Sequence, residues 1–85
     1  MSKNIYVGNL SYSIDDQELE RLFSQHGTVK SARVITDRDT NRSKGFGFVE
    51  MEDNSEAEAA IAALNGTEVD NREIKVNEAR ERRDR

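Results

Sequence analysis

Lys44, Phe46, Phe48 and Glu50 alternate along the chain with Gly45, Gly47, Val49 and Met51. A β-strand sends successive side chains to opposite faces, so each set of four shares a face. Burial is the usual fate of phenylalanine. Here it would take Lys44 and Glu50 into the core as well, and a charge is costly to bury unpaired. The other face is small and apolar and suits a helix packed close over it. A second reading therefore puts two rings in water, flanked by charge. Aromatic rings on a rigid sheet are a platform on which the bases of a single-stranded nucleic acid stack.

A second strand bears on the choice. In Ile5-Tyr6-Val7-Gly8-Asn9-Leu10, Ile5 and Val7 lie opposite Tyr6. If Ile5 and Val7 join Val49 and Met51 in the core, Tyr6 joins Phe46 and Phe48 outside. Three of the five aromatic residues then share one solvent face, and such a cluster marks an interaction site. No other chemistry competes. With no cysteine there is no disulfide, thiolate or cysteine zinc site. The single histidine, His26, falls in the last turn of a helix, where it interacts favourably with the helix C-terminus and has no partner to make it a base or a ligand. Gly45-Phe46-Gly47 begins a G-x-G-x-x-G pattern, but position 50 is Glu and the stretch reads as strand. Catalysis, a metal and a cofactor are not expected.

The elements that position these residues follow from local patterns. Asp15 and Glu18 have capping-box spacing, with Ile14 and Leu19 at the staple positions. Leu19, Leu22 and Phe23 form one helical stripe, and Gly27 suits the left-handed C′ position that ends it. Val29 to Thr36 is a second strand, with Ala32 and Val34 inward and Arg33 and Ile35 outward. A polar loop, Asp37 to Ser43, carries Arg38 and Arg42, read either as solvated arginines or as phosphate contacts. Asp53 and Glu56 repeat the capping-box spacing before a second stripe, Ala57, Ala60, Ile61 and Leu64, which Asn65-Gly66 ends. Asp70-Asn71 is a turn before a last strand near Glu73 to Asn77, with Ile74 and Val76 inward and Lys75 and Asn77 beside the aromatics. The order is β-α-β-β-α-β, the ferredoxin-like split βαβ arrangement of the α+β class. It predicts a four-stranded antiparallel sheet with both helices on one face. Ile5, Val7, Leu19, Leu22, Phe23, Val34, Val49, Met51, Ile61, Leu64, Ile74 and Val76 are the expected core.

Ile5 to Leu10 resembles the RNP2 motif of the RNA recognition motif (RRM) family, and Lys44 to Met51 resembles RNP1. The RNP1 pattern runs base, Gly, aromatic, Gly or Ala, Phe, Val, any residue, aromatic. Met51 stands at the last position, on the buried parity, where it questions packing more than binding. The resemblance covers about Asn4 to Ala79, so residues 1–79 are expected to form one RRM domain followed by a short charged tail, 80–85. It is nearest in build to bacterial single-RRM RNA-binding proteins. It implies that Tyr6 and Phe48 each stack under a base and that Phe46 contacts riboses or inserts between them. Lys44 would neutralise a phosphate, while Lys75, Asn77 and the backbone near Arg80 read base edges.

The net charge of −4 at first opposes a nucleic-acid partner. The acids are concentrated, however: Asp15, Asp16, Glu18, Glu20, Glu52, Asp53, Glu56 and Glu58 lie on the helices or their leads, opposed there only by Arg21. Helices behind the sheet would carry that charge to the back, leaving Arg33, Lys44 and Lys75 among the aromatics. Glu50 would accept from a base amino group or pair with a neighbouring Lys or Arg. The expected partner is single-stranded RNA, with single-stranded DNA weaker, and the affinity should be modest. The expected role is post-transcriptional regulation or RNA chaperoning by a monomer. The alternative is an RRM that meets a protein partner instead. The start Met1-Ser2-Lys3-Asn4 runs straight into a strand, so no secretory leader is expected, and no apolar run is long enough to span a membrane. The expected location is cytoplasmic.

Overall fold

The computed structural model describes residues 3–40 and 43–79. Arg42, Arg80 and the tail 80–85 lie outside the described residues. In chain order the elements are β1 (Lys3–Gly8), α1 (Asp16–Ser24), β2 (Val29–Thr36), β3 (Ser43–Met51), α2 (Asn54–Leu64), β4 (Glu68–Val69), β5 (Arg72–Glu73) and β6 (Lys75–Glu78). Four strands run antiparallel in one sheet in the order β2-β3-β1-β6, and β4 and β5 form a small separate hairpin. This is the α+β split βαβ architecture, with the hairpin added before the last strand.

Both helices cover the same sheet face. Ile5, Val7, Val49, Met51 and Val76 from the strands meet Leu19, Phe23, Ala57, Ala60 and Leu64 from the helices in one core. Leu10, Ile14, Val34 and Ile74 complete it, and Leu22 and Ile61 are only half-buried at its margin. Met51 is fully buried, as its parity in β3 requires. The close fit of helix to sheet depends on Gly47. A Cβ there would lie 2.5 Å from the Arg33 carbonyl oxygen and 3.1 Å from Leu19 Cδ2. The first is closer than real Cβ atoms come and the second would make the Leu19 side chain give way, so β2, β3 and α1 pack this closely over a glycine.

Asp15 caps α1, its carboxylate accepting from the Glu18 N–H at 2.9 Å. Ile14 and Leu19, on either side of the cap, are both buried, as a hydrophobic staple demands. Asp15→Ala should lower stability by about 1 kcal/mol, the usual cost of losing an N-cap, and a urea midpoint measures it. Asp16 reaches sideways instead. Its carboxylate accepts from the Val34 N–H at 2.7 Å and tethers the start of α1 to β2, an edge strand of the sheet.

Three sequence expectations are corrected. Gly27 does not take a positive φ; the positive-φ glycines are Gly45 and Gly66. Gly27 instead gives room to Glu56, whose side chain a Cβ would strike. Glu56 in turn does not reach back to its own helix N-terminus. Its Oε1 accepts from the Thr28 N–H at 3.1 Å, while Asp53 caps α2 through the Ser55 N–H at 3.0 Å. The capping-box spacing thus yields a link between α2 and the loop before β2. Finally, the last sheet strand is Lys75–Glu78, not Glu73 to Asn77. Glu73 pairs with Glu68 in the hairpin, whose two-residue turn Asp70-Asn71 has both φ values positive, at 54° and 66°.

Candidate nucleic-acid interface

The strand register assembles the solvent face in rows. Phe48 of β3 pairs with Tyr6 of β1 on one side and Arg33 of β2 on the other, and Tyr6 pairs with Asn77 of β6. One row across the sheet therefore reads Arg33, Phe48, Tyr6, Asn77. The next row on the same face brings Phe46, Gly8 and Lys75 together. The row on the other side holds Ser31, Glu50 and Asn4. Period-two alternation made these residues co-facial within each strand; the register makes them neighbours between strands.

The three rings form one packed group. Their centroids are 5.7 Å apart for Tyr6 and Phe48, 6.0 Å for Tyr6 and Phe46, and 6.3 Å for Phe46 and Phe48. Phe48 meets both others edge-on, at 65° to Tyr6 and 84° to Phe46. Such edge packing adds about 0.5–1.5 kcal/mol per pair and holds the rings in place. Phe48 is still 40% exposed, while Tyr6 and Phe46 are half-buried by one another. The Tyr6 ring lies across Gly8, where a Cβ would come within 2.5 Å of its hydroxyl oxygen.

Charge is divided between the two faces. On the helix side, Lys3 is largely covered and pairs with Glu58 at 3.5 Å and Glu78 at 3.3 Å. On the solvent face Arg33, Lys44 and Lys75 are exposed and make no ion pair with a described residue. Lys44 lines a depression with Tyr6 and Phe46. Glu50 has Lys30 at 3.9 Å, a long pair at a partly exposed site and so worth little. Arg38 is exposed in the turn after β2, apart from the rows. The register thus brings together Tyr6, Phe46, Phe48, Arg33, Glu50, Lys75 and Asn77, with Lys44 at the margin.

One exposed aromatic escaped the sequence reading. Tyr12 is 68% exposed, with the Arg72 guanidinium 5.9 Å from its ring centroid. An aromatic between two serines in a turn has no strand or helix face to bury it, and that was the available signal. Among the described residues no group of three or more His, Cys, Asp or Glu side chains is placed to hold a metal ion. No described helix is long and apolar enough to cross a membrane.

Residues 5–75 match the model of the RNA recognition motif family. A chloroplast RNA-binding protein of Arabidopsis thaliana is 58% identical over 78 residues, covering 92% of this chain and 27% of that protein. The chain thus spans about a quarter of that relative's length. The protein RbpE of Nostoc is 50% identical over 82 residues, covering 96% of this chain and 83% of that one. The crystal structure of an RNA-binding protein named PG1 superposes with a TM-score of 0.91 at 54% identity, covering 96% of this chain and 99% of that chain.

Proposed function

This chain belongs to the RNA recognition motif family, and on that premise we propose that residues 1–79 act as one unit that binds single-stranded RNA across the solvent face of the sheet. The carrying observation is the packed group Tyr6, Phe46 and Phe48, held on a rigid sheet beside three cations that no described acid neutralises. Tyr6 and Phe48 stack bases, and Phe46 contacts the sugars between them. Lys44 and Arg33 meet phosphates. Lys75 and Asn77 read base edges where β6 adjoins β1, together with the backbone near Arg80. Glu50 accepts from a base amino group at the middle of its row, while Arg38 and Arg42 add phosphate contacts. The role is that of a monomeric post-transcriptional regulator or RNA chaperone acting in the cytoplasm, and single-stranded DNA binds more weakly.

Titration with a fluorescein-labelled random-sequence RNA octamer tests this. Binding to the single strand, with little to the same sequences annealed into duplex, is the expected result. No binding, or a preference for duplex, would refute the proposal. The tail adds a charge-only component. Deleting residues 80–85 should flatten the salt dependence by about 0.7 log unit for each phosphate that the tail neutralises. The preferred sequence should not change, because phosphate contacts position the strand without specifying it. An unchanged slope would show that the tail does not touch RNA.

A further inference from the structure

Where β1 ends and β3 begins, a second group of side chains gathers beyond the rows. The Leu10 N–H donates to the Gly45 carbonyl at 2.8 Å, which brings the turn after β1 over the start of β3. Tyr12 lies on that turn; a Cβ at Gly45 would sit 3.5 Å from its Cε1. The partner of its ring, Arg72, comes from β5. Arg72 Nη2 donates to Asn9 Oδ1 at 3.1 Å, and Asn9 Nδ2 donates to the Glu73 carbonyl at 2.6 Å. Ser13 Oγ also donates to Asp70 Oδ2 at 2.7 Å. The turn and the hairpin are therefore fixed to one another at two points, and Tyr12 and Arg72 are held together although both are exposed.

Between them and the main face lies a depression of about 270 Å³, lined by Tyr6, Phe46, Lys44, Asn9, Tyr12 and Arg72. That is slightly below the usual range for small-molecule sites, about 300–1,000 Å³, so it suits a fragment the size of a nucleobase. It shares Tyr6 and Phe46 with the three-ring group, so the two surfaces are continuous. Its lining combines a planar ring, a planar guanidinium and an ammonium. Arg72, like Lys44, makes no ion pair with a described residue. Planar cation and ring together are what an unstacked base rests on.

We propose that this depression is a further nucleotide subsite: Tyr12 and Arg72 stack the base adjoining those on the sheet, and Lys44 neutralises the phosphate that links them. The subsite rests on the RNA-binding reading above and extends the strand's track off the sheet toward the β4–β5 hairpin. Arg72 contributes its plane as well as its charge, so lysine does not replace it.

Random-sequence RNA dinucleotides and octamers separate this subsite from the main face, because the sheet aromatics alone occupy two or three bases. Tyr12→Ala should weaken the octamer by about five- to a hundredfold and leave the dinucleotide unchanged. Tyr12→Phe should restore octamer binding. Arg72→Lys should reduce octamer affinity with an unchanged salt slope. Octamer binding unaltered in Tyr12→Ala, while Phe48→Ala still binds more weakly, would overturn the subsite and leave the main reading standing. Equal weakening for dinucleotide and octamer would also overturn it, by showing that Tyr12 only supports the sheet face. A wild-type protein that binds neither length removes both proposals.

Discussion

Phe48→Ala is expected to stay folded and to bind the RNA octamer about five- to a hundredfold more weakly, since stacking on an aromatic ring contributes about 1–3 kcal/mol per base. Phe48 has the position for it. It is 40% exposed and lies between Arg33 and Tyr6 in the row that crosses the sheet. Truncation also removes the edge-on packing against Tyr6 and Phe46, so stability should fall by about 1–3 kcal/mol for the two pairs. That is below the usual cost of about 3–5 kcal/mol for a core phenylalanine. Phe48→Tyr should retain affinity, because the stacking plane survives. A thermal midpoint and an RNA titration on the same sample decide the matter. Native-like stability with wild-type RNA affinity would shift the role of this face to a protein partner.

Phe23→Ala is expected to do the opposite. Phe23 is fully buried beneath the sheet in the cluster with Leu19, Ile5 and Met51. Replacing such a ring with alanine costs about 3–5 kcal/mol through reduced burial and the cavity left behind. A domain of 85 residues has about 4–13 kcal/mol in total, so the loss takes a large share of its stability. The thermal midpoint should drop by about 12–40 °C. The binding face is untouched, so folded molecules should bind RNA with normal affinity. By linkage, octamer at about 100 times its Kd should restore about 2.7 kcal/mol. The same concentration should stabilise Phe48→Ala by only about 0.4–1.8 kcal/mol. If RNA fails to raise the midpoint of Phe23→Ala, the two faces are not independent and the division of labour between the phenylalanines is wrong.

Local chemistry made much of this protein legible in its sequence. Period-two alternation separated Phe46 and Phe48 from Val49 and Met51, and helical stripes and Asp15 placed α1. The RNP1-like and RNP2-like stretches point to the family through the sequence alone. These signals act within a few residues, through side-chain direction and capping hydrogen bonds, so they survive in a linear reading. What the tertiary structure decided depends on partners far apart in the chain. The packing of both helices on Ile5, Val7, Val49 and Met51 settled which strand face meets water, and the pairing of Tyr6 with Phe48 set their rings side by side on it. Glu56, contacting Thr28 from 28 residues away, turned an expected capping box into a link between α2 and a loop, and assigned Gly27 a packing role rather than a left-handed one. Arg72 reached Asn9 across 63 residues and made an ordinary turn tyrosine half of a second aromatic platform. No local pattern encodes such contacts, because they exist only once the core has brought the turn after β1 and the β4–β5 hairpin together.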